Sequence, residues 1–170
     1  NWFYTQIFIN VWPISISHNN FLIKIILKNK NINFSNMDNN TQKFIFVQNQ
    51  ISIILLGWGL ISILMGATLF YFNNDFIRGI GTQFLVWGLV NSSIGIFVIL
   101  RKSQYTSKKL AKILLFNSFL DLIYLLVAIV LIFEIFINGD SAVGHGFGVL
   151  FQGFFLLILD TYYGIRILRI

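Results

Sequence analysis

The chain has no cysteine and a single proline, and only 11% of its 170 residues are charged. Without cysteine there are no disulfides, no thiol nucleophile, no thiolate zinc site and no iron–sulfur ligation. A soluble domain ordinarily carries about 25% charged residues, so the shortage of charge argues against a water-facing surface. Acids are scarcest, with six Asp and Glu against twelve Lys and Arg, a formal net charge of +6. What remains is 56% hydrophobic and 17% aromatic. Uncharged apolar runs of ~20 residues point to transmembrane helices. In such a chain an excess of Lys and Arg belongs to cytoplasmic loops rather than to a nucleic-acid surface.

Residues 1–36 are asparagine-rich, with short apolar runs such as Phe21–Leu27, which Lys24 interrupts and Lys28 and Lys30 follow. A secretory signal would place its charge before the apolar region and supply a cleavage site. Two readings stand. The native protein starts at Met37 and residues 1–36 are an upstream extension or a mistaken start, or the segment lies at the lipid surface through Trp2, Phe3, Trp12 and the lysines.

The remainder, 37–170, reads as one all-α transmembrane domain of four helices in an antiparallel bundle. The apolar runs place the helices at about 50–72, 81–100, 110–137 and 144–168. Gly59, Ser62 and Gly66 share a face of the first helix, and Gly88, Ser92 and Gly95 share a face of the second. Small residues at helical spacing let backbones approach closely in lipid, so both faces read as packing seams. The segment RKSQYTSKKLAK carries Arg101, Lys102, Lys108, Lys109 and Lys112 and no acid, which makes it cytoplasmic. The loops on the other side carry Asp75 and Arg78, or Asp140 alone. Lys43, Arg166 and Arg169 then put both termini in the cytoplasm of a multi-pass protein of the cell membrane. Its expected partners are the lipid bilayer and a second copy or another membrane protein, with no nucleic acid.

Polar side chains inside apolar helices are costly and need partners. At ~1.5 Å per residue, Asp121 lies ~13 Å beyond Lys112, Asn91 ~15 Å beyond Arg101, and Asp160 ~9 Å from Arg166 or ~13 Å from Arg169. Three polar groups on three helices thus share a level slightly inward of the midplane, with no Lys or Arg among them. Asn117 and Tyr124 share the face of Asp121, and Gln152 lies two turns before Asp160. Two buried carboxylates without a cation cannot both stay ionised cheaply, so one is protonated, or a cation or water joins them. Gln83, Glu134, His145 and Gln152 suggest a second level nearer the outside.

The cluster of Asn91, Asn117, Asp121, Tyr124, Gln152 and Asp160 supports three readings: a polar lock on helix register, a site for a cation, proton or small polar solute, or a catalytic carboxylate pair. Spaced carboxylates alone specify no reaction, and there is no zincin motif, phosphate loop or nucleophile–base combination. No catalytic residue, metal or cofactor is assigned. A lone histidine within GHGFG is not a metal site. The expected role is a non-enzymatic bundle that packs with itself or a partner, or holds a small polar or ionic ligand. The alternatives are a membrane-embedded enzyme acting on a lipid or quinone, with Glu134 and His145 as its candidates, and a small ion- or proton-coupled transporter.

Gln83, Trp87, Gly88 and Asn91, then Asp121 and Tyr124, then Gly144 or Gly146 with Gln152, Gly153 and Asp160, form the pattern Q-x3-WG-x2-N, D-x2-Y and G-x-G-x3-QG-x6-D. In this the chain resembles a family of small prokaryotic four-helix membrane proteins of unknown function, over about Ile51 to Gly164. The resemblance implies the fold and the importance of those polar positions. It implies no activity.

Overall fold

The computed structural model describes residues 38–100 and 106–170. The chain divides into two compact units, Asn1–Gln42 and Lys43–Ile170. Of the first unit, 38–42 are described, so the two readings of residues 1–36 lie outside the described residues, as do Arg101 and Lys102.

Among the described residues there are four helices and no strand: α1 (Asn39–Leu69), α2 (Asp75–Leu100), α3 (Ser107–Ile132) and α4 (Asp140–Leu168). Each is long and apolar enough to cross a membrane. The one proline is Pro13, so nothing in these helices interrupts the backbone ladder.

The ends differ from the apolar runs, and local chemistry explains why. The second helix begins at Asp75, not near residue 81, because Asn74 Oδ1 accepts the Ile77 N–H at 3.0 Å. That is an N-cap, and Asp75 in the first turn complements the helix dipole. The third helix stops at Ile132, not near residue 137. Glu134 takes a left-handed φ of 52°, its N–H donates to the Leu131 carbonyl, and the Ile135 N–H donates to Val130. These are the two bonds of a Schellman cap, with Glu where glycine is usual. The fourth helix begins at Asp140, so GHGFG lies inside it rather than in a loop. The first begins at Asn39 rather than near 50, its first turn closed by Asp38, which accepts the Thr41 N–H at 3.0 Å and the Thr41 hydroxyl.

The two small-residue faces meet. A Cβ on Gly88 would lie 2.8 Å from the Gly59 carbonyl oxygen, and one on Gly66 would lie 2.7 Å from the Gly81 oxygen. At that separation only glycine lets the α1 and α2 backbones touch. The pairings Gly95–Ser52 and Gly66–Gly81 also show that α1 and α2 are antiparallel.

The central helix is α4. Half of its most apolar window is buried, against a third or less in each other helix. It meets α1 through Trp58, whose indole stacks on Phe155 with ring centroids 4.0 Å apart. Gly144 and Gly148 bring it against Phe76 and Gln83 of α2, and Gly146 and Gly164 against Ala128 and Leu115 of α3. It runs antiparallel to α1 and α3 and in the same direction as α2, as an up-and-down order requires. Phe44, Val47, Ile51 and Leu55 of α1, Ala111 and Leu114 of α3, and Leu156, Leu159, Tyr163 and Ile167 of α4 form one apolar core at the end of the bundle where α3 begins. Large apolar side chains such as Leu64, Phe97, Phe116 and Phe154 face outward. In water they would make an aggregating surface.

Candidate functional site

Beside that core, a cavity of about 260 Å³ is bounded by all four helices. Gln48 and Ser52 come from α1, Trp87 and Asn91 from α2, Asn117, Asp121 and Tyr124 from α3, and Asp160 from α4. Each polar residue is placed by helical spacing. Gln48 and Ser52 continue the Leu55–Gly59–Ser62–Gly66 face of α1 backward in steps of three and four. Asn91 lies one turn from Gly88 and Gly95, so the seam that docks α2 on α1 also turns its amide inward.

The register of α3 against α4 sets the spacing of the carboxylates. Thr161 Oγ1 donates to Ser118 Oγ at 3.1 Å, and Gly164 sits against Leu114. Asp160 is therefore opposite Asn117, and Asp121 lies about one turn further along α3. Both acids line the same cavity. Asp121 is 4% exposed and Asp160 6%.

Not all of this polarity is satisfied. Gln48 Oε1, Asn91 Nδ2 and Asp121 Oδ2 are buried, line the cavity region and have no hydrogen-bond partner. Gln48 and Asn91 are 4% and 2% exposed. A buried polar group without a partner costs ~1–3 kcal/mol, and three around one cavity are a set of vacant hydrogen-bonding positions. Among the described residues the lining contains two carboxylates and no Lys, Arg or His. In the cavity wall, Trp87 meets Tyr124 edge to face at 5.2 Å.

Of the residues singled out from sequence, Asn91, Asn117, Asp121, Tyr124 and Asp160 line this cavity. Gln152 does not. It is fully buried at the α1–α4 contact, where its Oε1 accepts from Trp58 Nε1 at 2.8 Å and its Nε2 donates to Ser62 Oγ at 3.0 Å. The outer level is divided as well. Gln83 Nε2 and His145 Nδ1 lie 3.0 Å apart, bonding α2 to α4. Glu134 is exposed beyond the end of α3, where its Oε1 accepts the Gly139 N–H at 2.7 Å and closes the α3–α4 turn. Gln48 lies before the expected helix start near residue 50, and Ser52 lies inside that helix but before the Gly59–Ser62–Gly66 face followed from sequence. The small-residue face of α1, carried two turns further back, would have found them.

A family of unknown function, DUF6992, matches residues 54–161, and the chain belongs to that family. No curated protein matches the chain, and no solved structure matches it. Asn91, Asn117, Asp121, Tyr124 and Asp160 fall within the matched stretch, whereas Gln48 and Ser52 lie just before it.

Proposed function

We propose that this is a multi-pass protein of the cell membrane with no enzymatic role, whose bundle holds a small cationic ligand between Asp121 and Asp160. One observation carries the reading: two neighbouring buried carboxylates face a cavity whose lining, among the described residues, offers no cation, beside the unpartnered Gln48 Oε1 and Asp121 Oδ2. An ammonium group supplies both missing elements, a positive charge and several N–H donors. The outward apolar faces and the four long helices support the bilayer as its surroundings. The basic ends support a topology with the α2–α3 connection and the outer ends of α1 and α4 in the cytoplasm.

A lipid- or quinone-modifying enzyme is a weaker reading, because its candidate pair is otherwise engaged. His145 bonds Gln83, and Glu134 closes a turn. The test uses the full chain in lipid nanodiscs titrated with methylammonium. A ligand at one hundred times its Kd adds ~2.7 kcal/mol to stability, so the melting temperature should climb with concentration. Asp160→Asn and Asp121→Asn should each weaken the response at least tenfold while the variants stay folded. A wild-type melting temperature indifferent to methylammonium overturns the reading.

A further inference from the structure

The cavity has a floor and a mouth of different character. Every lining residue from α1 and α4, including Gln48, Leu55, Leu156 and Asp160, is buried. Among the described residues, those of the lining that reach the outer surface come from the other two helices: Val90 and Ile94 of α2, at 41% and 46% exposed, and Ile113 and Tyr124 of α3, both at 37%. The opening is thus a lateral slot between α2 and α3, rimmed mainly by aliphatic side chains on the faces turned to lipid. The polar groups lie behind it. A water-soluble cation approaching this way would have to cross hydrocarbon, where a bare charge is expensive.

We infer that the ligand is an amphiphilic amine taken up sideways from the bilayer, its ammonium head against Asp121, Asp160 and Gln48 and its chain leaving between Val90, Ile94 and Ile113. This rests on the proposed function and adds the ligand class and its route. The volume suits a head group rather than a whole drug-sized molecule, for which pockets are usually ~300–1,000 Å³, so the chain must lie outside. In that position the chain remains among lipid-like neighbours and needs no apolar pocket of its own. Asn91 Nδ2, a donor without a partner, offers a place for an oxygen acceptor beside the ammonium. A primary amine meets the two vacant acceptors with N–H groups, whereas a quaternary ammonium of equal charge and chain length has none to give.

The experiment is photolabelling of the full chain in phosphatidylcholine nanodiscs by dodecylamine carrying a diazirine on its chain. Label should concentrate on the peptides that contain Val90–Ile94 and Ile113–Leu120. Unlabelled dodecylamine should compete at least tenfold better than dodecyltrimethylammonium, and Asp121→Asn should lower the labelling at least tenfold. Label spread over the outer faces of all four helices, with the two competitors equal, overturns the inference without recourse to any variant. If the methylammonium response persists in that case, only the amphiphile and its route are lost. If that response is missing as well, the polar site itself falls.

Discussion

Trp58 Nε1 donates to Gln152 Oε1 at 2.8 Å across the α1–α4 contact, and Gln152 passes the chain on to Ser62 Oγ at 3.0 Å. The amide is fully buried and uses both of its ends. Gln152→Leu keeps the bulk but strands two partners, so it should destabilise the bundle by ~1–3 kcal/mol. Trp58→Phe removes one donor while keeping a ring against Phe155, and should cost less on its own account. In the double variant Trp58→Phe/Gln152→Leu the losses should be clearly less than additive. Unfolding in mixed detergent micelles measures all three.

The glycine seam gives a contrast within one sequence motif. Gly57 and Gly59 flank Trp58, yet a Cβ at Gly57 would meet nothing within 4 Å, whereas one at Gly59 would strike the Ser92 hydroxyl and backbone. Gly57→Ala should leave the melting temperature unchanged or raise it slightly, given the ~1 kcal/mol propensity of Ala over Gly. Gly88→Leu should separate α1 from α2, because its Cβ alone would be 2.8 Å from Gly59 and Ile63 backbone atoms. The readout is energy transfer between dyes at the α1–α2 ends together with melting. An unaltered Gly88→Leu protein would mean that the seam is not closed.

This seam was legible in the sequence because glycine and serine at steps of three and four stand out among bulky residues. The choice of face for Gln152 was not. The helices are apolar nearly all the way round, so periodicity does not say which neighbour a polar residue meets, and α4 has three. The end of α3 was hidden for another reason. Neither glycine nor proline marks it, and Phe136 and Ile137 prolong the apolar run past the cap. The carboxylates were found by depth alone, and helical rise placed them at one level. The α3–α4 register puts Asn117, not Asp121, directly across from Asp160, a difference of one turn that anchor-counting does not resolve.

Glu134 should tolerate loss of charge but not a change of shape. Glu134→Gln keeps an acceptor for the Gly139 N–H and should stay within ~0.5 kcal/mol of the parent. Glu134→Val forces a β-branched residue to a φ of 52° and abolishes the bond, and should cost ~1–3 kcal/mol. Melting of both variants, with helix content by circular dichroism, checks the difference.

At the start of α1, the hydroxyl and backbone N–H of Thr41 hold the Asp38 carboxyl below the ordinary aspartate range. A group with a depressed folded-state pKa contributes stability above its unfolded value, ~3.9 for Asp, and loses it as pH falls through the folded value. Acidification below about pH 4 should therefore loosen the first turn of α1. Amide exchange at Thr41 in acid, corrected for intrinsic rate, should rise relative to that at Thr82, and Asp38→Ala should show the rise already at neutral pH.

The register that brings the two acids together can be tested without touching either, because the chain has no native cysteine. A Cβ at Gly153 would stand 3.7 Å from Tyr124 Cβ, and one at Gly164 would stand 3.5 Å from Leu114 Cβ. Both separations fall in the ~3.5–4.5 Å range in which a disulfide forms readily. Tyr124→Cys/Gly153→Cys and Leu114→Cys/Gly164→Cys should each cross-link under mild oxidation within the membrane. The mismatched pair Tyr124→Cys/Gly164→Cys would be separated by roughly 16 Å along the helices and should not. Asp121 lies between the two α3 positions, and Asp160 lies between the two α4 positions. If both matched pairs close, α3 and α4 are pinned above and below the acids, and Asp160 must face Asn117 with Asp121 one turn away. If the mismatched pair closes instead, the helices have slid by several turns, the carboxylates are apart, and the cavity between them cannot be a site for one cation.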